Sequence, residues 1–349
     1  MLFCTSICAN YLPKARCLAY SVKQHMPDSR FVLCLLEEQI PEGVEKYEYF
    51  DDIVLAKDMG WENFNRLMFK HAIVEGATSV KGQLFNYLLK EYSSEDKFIY
   101  LDPDVYVYSK FIELEELLDT HSIVVAPHLL FPGNIQMEIS SLAHGCYNLG
   151  FLAVRRSENA KNFIQWWADR LFDFCYDDIK RGIFTDQRWI DLAPCFFDVF
   201  VLKHHGYDFA TWSLLNAKMQ NIDGNYYVNG DPLRFIHFSG FDGGTIDWAI
   251  EQWAIGSCKE IFRDLYEEYK KFQQENNRDN MSSFKWSYDF YSNGEKISNK
   301  ARLVFRDNLE KCPVENPFAL DDAKILRYGK TKFHRKIKNI LKFIKGEFQ

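Results

Sequence analysis

Apolar residues fall into two kinds of run along this chain. Leu2 to Ile7 and Arg30 to Leu36 are short and almost continuously apolar, the pattern of strands covered on both faces. Between them, Asn10-Tyr11-Leu12-Pro13 leads into helical spacing over about 13–25, with a proline in the first turn, and Met26-Pro27-Asp28-Ser29 ends it. A strand, a helix and a strand within ~35 residues make a βαβ unit, so the N-terminal part is predicted to be α/β with a parallel sheet. Ile53 to Ala56, Lys97 to Leu101, Val105 to Tyr108, Ser122 to Pro127 and Asn148 to Val154 read as further strands. Residues 61–75, 80–92 and 159–175 read as helices, and the alternation runs to about residue 210. Leu233 to Phe238 is the last clear strand. Beyond 255 the pattern changes to a charged helix over 260–276 and a polar, aromatic stretch over 277–299. The prediction is therefore a main α/β domain over 1–255, a helical and polar extension over 256–329, and a tail over 330–349.

Composition narrows the function. The 349 residues are 47% hydrophobic and 26% charged, which excludes a disordered chain and supports a large core. A formal charge of −7 argues against a general nucleic-acid binder. No run approaches ~20 apolar residues, so no membrane-spanning helix is predicted. Met1 to Cys8 has no basic segment before its apolar run and reads as a strand, not a leader. The nine cysteines are odd in number and form no CxxC pair, so zinc and disulfide frameworks both fit poorly and a reducing cytoplasm is expected.

Asp102-Pro103-Asp104 is the strongest local signal. It follows the strand Lys97 to Leu101 directly and is followed by Val105-Tyr106-Val107. Residues two apart in extended chain point the same way, so both carboxylates face one space beyond the strand's C-terminal end, the edge where open α/β sheets take ligands. Two hard oxygen donors suit Mg²⁺ or Mn²⁺ shared with a substrate's phosphates. The competing reading is a surface turn, since Asp and Pro are both common there. An acidic pair between two apolar runs favours the cation, because desolvating it alone is costly.

Tyr100-Leu101-Asp102-Pro103-Asp104-Val105 resembles the acidic segment of GT-A-fold glycosyltransferases. More specifically, the chain is similar to glycosyltransferase family 8 and its bacterial lipooligosaccharide galactosyltransferase branch. Asn10-Tyr11, Asn148-Leu149-Gly150, Asp186-Gln187 and His237-Phe238-Ser239-Gly240 match further motifs of that family in the same order, over roughly residues 1–245. Asp186-Gln187-Arg188-Trp189-Ile190-Asp191 and His237 to Phe241 place it nearer a set of uncharacterised bacterial glycosyltransferases. The chain departs from the family pattern in three places. Cys8-Ala9 stands where an acidic residue usually precedes Asn-Tyr, Arg188 stands where a second Asp often follows, and Phe241-Asp242-Gly243-Gly244 stands where the late motif runs on to a lysine.

The resemblance implies a GT-A fold with a central, mostly parallel sheet flanked by helices and a C-terminal helical extension. It implies a sugar transfer from a nucleotide sugar, with UDP as the expected nucleotide. Asp102, Asp104 and His237 would hold the cation, with Asp186, Gln187 and Asn148 around the transferred sugar. Cys8, Ala9, Asn10, Tyr11, Lys81, Asp102 and Gly240 would bind the nucleotide sugar. It also implies retention at the anomeric carbon. An inverting enzyme would need a carboxylate base, for which Asp208, Asp242 and Asp191 are available. Local readings compete: Tyr11 as a residue of a helix entry, Lys81 as a solvated lysine, and Thr185 or Asp186 as an N-cap. Trp189, Tyr207 and Trp212 are either acceptor-stacking residues or core.

The tail carries Lys330, Lys332, Arg335, Lys336, Lys338, Lys342 and Lys345 with no acid between 330 and 346, and Phe333, Ile337, Ile340, Leu341 and Ile344 recur at helical spacing. A basic amphipathic helix of this kind lies in an anionic membrane interface, where each cation adds about 1 kcal/mol. The expected acceptor is an oligosaccharide or lipid-linked glycan of a bacterial surface polysaccharide. The enzyme is expected at the inner face of the cytoplasmic membrane. Two other readings remain: a sugar-1-phosphate nucleotidyltransferase, disfavoured because the loop at Cys8-Ala9-Asn10-Tyr11 has no glycine, and a non-catalytic glycan-binding module on the same scaffold.

Overall fold

A computed structural model describes residues 1–329. The basic segment 330–349 and the membrane contact read from it lie outside the described residues. Strands β1 (Leu2–Ile7), β2 (Arg30–Leu35), β3 (Asp52–Leu55), β4 (Lys97–Leu101), β6 (Ile123–Pro127), β7 (Tyr147–Arg155) and β10 (Phe200–Val201) form one sheet in the order β10-β6-β7-β4-β1-β2-β3. All neighbours are parallel except β7, which runs antiparallel to both β4 and β6. Helices cover both faces, which is why the strands read as continuous apolar runs. Successive residues serve opposite cores: Cys4 and Tyr100 pack with Phe85 and Trp167 on one side, and Phe3 and Ile99 with Leu18 and Phe111 on the other. The predicted α/β architecture is the one the chain adopts.

Helix α1 (Leu12–His25) carries Pro13 in its first turn as expected. The helix expected over 61–75 is instead two, α2 (Phe64–Lys70) and α3 (Ile73–Ser79). The break has a distant cause. His71 and Ala72 are extended, and the Arg302 guanidinium donates to the carbonyls of Met68, Phe69 and His71, taking up the freed end of α2. Glu75 then accepts from the Ala72 N–H at 2.9 Å and restarts the chain as α3. Arg302 lies on α11 (Asn299–Arg306), more than 200 residues away in sequence, so no local pattern announces the break.

Helices α4 (Lys81–Glu91), α5 (Ile112–Thr120), α6 (Ile135–His144) and α7 (Glu158–Phe174) complete the layers. The even alternation expected up to residue 210 stops at α7. After it come the pair β8 (Asp177–Asp178) and β9 (Ile183–Phe184), a 3₁₀ segment over Arg188–Leu192, and the one-turn α8 (Ala193–Phe196). The Val105 to Tyr108 run also leaves the main sheet. β5 (Val105–Val107) pairs antiparallel with β14 (Phe235–His237), while β11 (Met219–Ile222), β12 (Asn225–Val228) and β13 (Asp231–Pro232) form a small sheet of their own.

Helices α9 (Thr245–Trp253) and α10 (Gly256–Glu275) build a third core around Phe238, Phe262 and Tyr269. The compositional change near 255 falls between these two helices. Trp286, Tyr288, Phe305 and Phe318 of the extension pack into the first core. All nine cysteines are free, seven of them buried. No helix among the described residues is long and apolar enough to cross a membrane.

Candidate functional site

Strand β4 ends at Leu101, and the chain turns over Pro103 with the Val105 N–H donating to the Asp102 carbonyl at 3.1 Å. The Asp102 N–H donates to the Gly150 carbonyl at 2.9 Å, anchoring the turn to β7. The β5–β14 pairing sets His237 opposite Val105. It therefore brings an imidazole 133 residues away onto the acidic turn. His237 Nε2 lies 3.1 Å from Asp104 Oδ1 and 3.9 Å from Asp102 Oδ2. One donor atom from each of the three residues falls within 4.8 Å of the others. Gly150 makes room for this: a Cβ there would stand 2.4 Å from His237 Cε1.

Burial opposes ionisation of Asp104. The field of His237, its hydrogen bond and the Lys14 ammonium win, and hold the carboxyl down at about 2. Burial would likewise strip the proton from His237, but Asp104 and Asp208 reverse that and raise its pKa well above the ordinary value. The second carboxylate was not anticipated in this role. The Asp208 side chain sits behind the ring, 3.3 Å from Nδ1, and burial pushes it up to about 6. A carboxylate on the far nitrogen fixes the orientation of a metal-binding imidazole. Asp208 adopts φ 51, a left-handed backbone unusual for a non-glycine residue and of the kind that gathers at functional sites.

Lys81 is not a solvated lysine. It is 2% exposed, and its ammonium reaches Asp102 Oδ1 at 3.1 Å, Asp186 Oδ2 at 2.9 Å and the Leu149 carbonyl at 2.9 Å. Burial alone would discharge it; Asp102 and Asp186 instead raise its pKa well above the usual value. The Tyr100 hydroxyl adds a 3.0 Å hydrogen bond to the same Asp102 oxygen. The N-cap reading for Thr185 and Asp186 also fails. Gln187 precedes the 3₁₀ segment and no side chain caps it. Thr185 stands at φ 42, which is strained for a β-branched residue, and turns Asp186 inward to Lys81.

Asn148 is fixed at both ends of its amide. Oδ1 accepts from the Gly150 N–H at 2.8 Å, and Nδ2 donates to His128 Nε2 at 3.1 Å. His128 Nδ1–H donates to the Gly145 carbonyl at 2.8 Å, so the neutral ring is required. Burial, only partly offset by that bond, holds its pKa down at about 4. The unfolded chain therefore takes up a proton near pH 6.5 that the fold resists until about 4, and stability is lost as pH falls through that window. Urea unfolding at pH 7 and pH 4.5 should show wild type losing about 2 kcal/mol more than His128→Gln. Equal losses would refute this account of the ring.

These groups line a cavity of about 640 Å³. Lys81, Asp102, Asp104, Asn148, Asp186, Gln187 and His237 all face it, with Trp212 on its wall. Cys8, Ala9, Asn10, Tyr11 and Gly240 do not line it. Cys8 and Ala9 are buried, and the Ala9 N–H donates to Glu37 Oε1 at 2.8 Å. Tyr11 gives its hydroxyl to Asp242. Gly240, at φ 88, forms a turn against Thr245. Three residues with open roles also lie off its lining. Tyr207 is core, bonded to Glu113 and the Leu114 N–H. Trp189 packs against the first core. Asp191 binds Arg188 and the Cys146 N–H.

No family model matches the chain. It is 23% identical over 245 residues to the uncharacterized protein YfnD of Bacillus subtilis (strain 168), covering 68% of this chain and 77% of that one. It is 23% identical over 246 residues to YfnF of the same organism, covering 68% and 81%. Among solved structures it is similar to the galactosyltransferase LgtC in complex with donor and acceptor sugar analogues, with a TM-score of 0.44 and 15% identity over 79% of this chain and 96% of that one. It is also similar to the glycosyltransferase GlyE of Streptococcus pneumoniae TIGR4 (TM-score 0.44, 15% identity, 83% and 66% covered). A third is mouse xyloside xylosyltransferase 1 (TM-score 0.41, 14% identity, 68% and 97% covered).

Proposed function

We propose that this protein is a metal-dependent glycosyltransferase. It would move a sugar from a nucleotide-diphosphate sugar, a UDP-sugar in the first instance, to a saccharide or lipid-linked saccharide of a bacterial surface glycan. The observation that carries the reading is the meeting of Asp102, Asp104 and His237 at a cavity that also presents Asp186, Gln187 and Asn148. The donor set fits a divalent ion: two carboxylates, one imidazole and a carboxylate behind the ring are a set for Mn²⁺ or Mg²⁺. Such an ion supplies the neutralisation that makes a diphosphate a workable leaving group.

The remaining chemistry belongs to the chain. Lys81 bridges Asp102 and Asp186 and holds both side chains in place. Gln187 commits its Nε2 to the His144 carbonyl at 2.9 Å, which leaves the amide oxygen to face positive charge developing on the sugar. Asn148, locked by His128 and Gly150, offers a rigid wall. The carboxylates lining the cavity are Asp102, Asp104 and Asp186, and each is committed to the cation cluster or to Lys81. Asp208 is sealed behind His237, and neither Asp242 nor Asp191 lines the cavity. Among the described residues no uncommitted carboxylate lines this wall, which supports retention. In that course the acceptor oxygen bonds the anomeric carbon as the bond to phosphate breaks, and the hydroxyl proton leaves with the departing phosphate.

A panel of nucleotide sugars incubated with Mn²⁺ tests the assignment. Release of nucleoside diphosphate that stops on chelation and in Asp104→Ala supports it. A folded protein that turns over none of them would leave the glycan-binding module as the better reading. The membrane location rests on the composition of residues 330–349. Full-length protein should sediment with vesicles containing anionic lipid at low salt and be released at 0.5 M salt, written as roughly a threefold shorter screening length than at 0.05 M. A chain ending at 329 that binds the vesicles equally well would remove that part of the proposal.

A further inference from the structure

The cavity has to accept a diphosphate beside three carboxylates, and the cations on its lining are already committed. Lys81 is spent on Asp102, Asp186 and a carbonyl. His237 is held between Asp104 and Asp208. Lys14, on the first turn of α1 and outside that lining, is different. Its side chain is 3% exposed and walled by aromatic rings, with Nζ 4.3 Å from the centre of the Tyr11 ring and 5.1 Å from that of Phe241. Its charge is felt at Asp104. Its ion-pair partner is Asp242, whose side chain is 56% exposed.

The geometry at Asp242 is that of an occupied anion site. Lys14 Nζ at 2.7 Å and the Tyr11 hydroxyl at 2.5 Å donate to the same carboxylate oxygen, Oδ2. The acid arrives on a loop that begins at the metal-binding residues: the Phe238 N–H donates to the Asp104 carbonyl at 2.9 Å, and Ser239 lines the cavity. That loop carries three glycines. Gly240 and Gly244 stand at φ 88 and 65, and Gly243 lies between them. Lys14 is buried and needs an anion beside it, but Asp242 meets it from the exposed side, where another anion can take its place.

We propose that Lys14 and the Tyr11 hydroxyl form a binding site for the donor's diphosphate, and that Asp242 occupies it as an internal stand-in until the donor arrives. The proposal rests on the nucleotide-sugar reading above. Phosphate brings more charge and more acceptor oxygens than a carboxylate to the same two donors. On displacement Asp242 swings out with its glycine-rich loop, and no bond is made or broken.

Binding of UDP, and of inorganic pyrophosphate as a probe without a base, is measured by calorimetry with Mg²⁺ present. Asp242→Asn removes the internal competitor and should tighten both by about three- to tenfold. Lys14→Met should weaken both by about ten- to fiftyfold, the loss of one charge-assisted hydrogen bond. In the double variant the gain from Asp242→Asn should vanish. Tightening is the diagnostic result, since loss of a merely structural ion pair leaves affinity unchanged or lowers it. Lys14→Gln replaces Lys14→Met if the latter does not fold. Unchanged or weaker binding by Asp242→Asn overturns the proposal. If Asp104→Ala loses UDP while the Lys14 and Asp242 variants bind like wild type, the metal-site reading stands and this one falls. A wild-type protein that takes neither probe overturns both.

Discussion

Replacing Asp104 with asparagine should cut metal-dependent turnover of a nucleotide sugar by at least ~10³-fold, the scale expected when charge stabilisation of a leaving group is removed. The substitution keeps the size of the side chain and removes its charge. Asp104 is the closest of the two acids to His237, and it is the one held at about 2, so it is ionised at any working pH. Asparagine cannot replace that anion at a divalent ion. The fold should survive, because His237 keeps Asp208 on its other nitrogen. Melting should shift by only a few degrees, on the order of ~1 kcal/mol. Calorimetry with Mn²⁺ separates this from a folding defect: wild type should bind and Asp104→Asn should not. Asp208→Asn is the milder companion. It acts through His237 and should weaken the metal by about 10–100-fold with turnover partly restored at high Mn²⁺. Full activity in Asp104→Asn would show that the acidic turn is only a turn.

Much of this arrangement was legible in the chain, for physical reasons. Strands buried on both faces leave continuous apolar runs, so β1, β2 and β4 stood out with near-correct ends. Asp102 and Asp104 stood out because acids are expensive beside such runs. What stayed hidden is whatever depends on distant contacts. Asp208 reads as one acid among many until β14 lays His237 against it. Lys81 opens a helix and looks solvated, yet the packing of α4 against α7 puts it under 2% exposure; a Cβ at the next residue, Gly82, would stand 2.6 Å from Ala168 Cα. That glycine was the available clue to the burial. The split of α2 from α3 has its cause on α11, and the pairing of Lys14 with Asp242 spans 228 residues. Positions such as Thr185 and Asp208, held at positive φ, carry no mark in their residue type.

Lys81→Met should be the most destabilising single substitution at the site. Methionine keeps the length and apolar stem of lysine, so packing against Tyr100, whose ring centre lies 4.4 Å from Nζ, is largely preserved. What goes is the cation that, among the described residues, Asp102 and Asp186 share. Asp186 is 4% exposed on its side chain and would be left without a counter-charge, with Asp102 nearby. Stranding a buried carboxylate costs about 3–5 kcal/mol, against a surface pair's typical value below about 1. Urea unfolding should show that loss. Turnover should fall with it, because the two acids would then repel each other at the edge of the metal site. The double variant Lys81→Met/Asp186→Asn is the control that makes the cause visible. With the stranded acid neutralised, it should be more stable than Lys81→Met alone, recovering roughly half the loss, while activity stays low because Asp102 still lacks its lysine. Were Lys81→Met to unfold within about 1 kcal/mol of wild type, or the second substitution to bring no recovery, Lys81 would not be the charge that holds the two acids together.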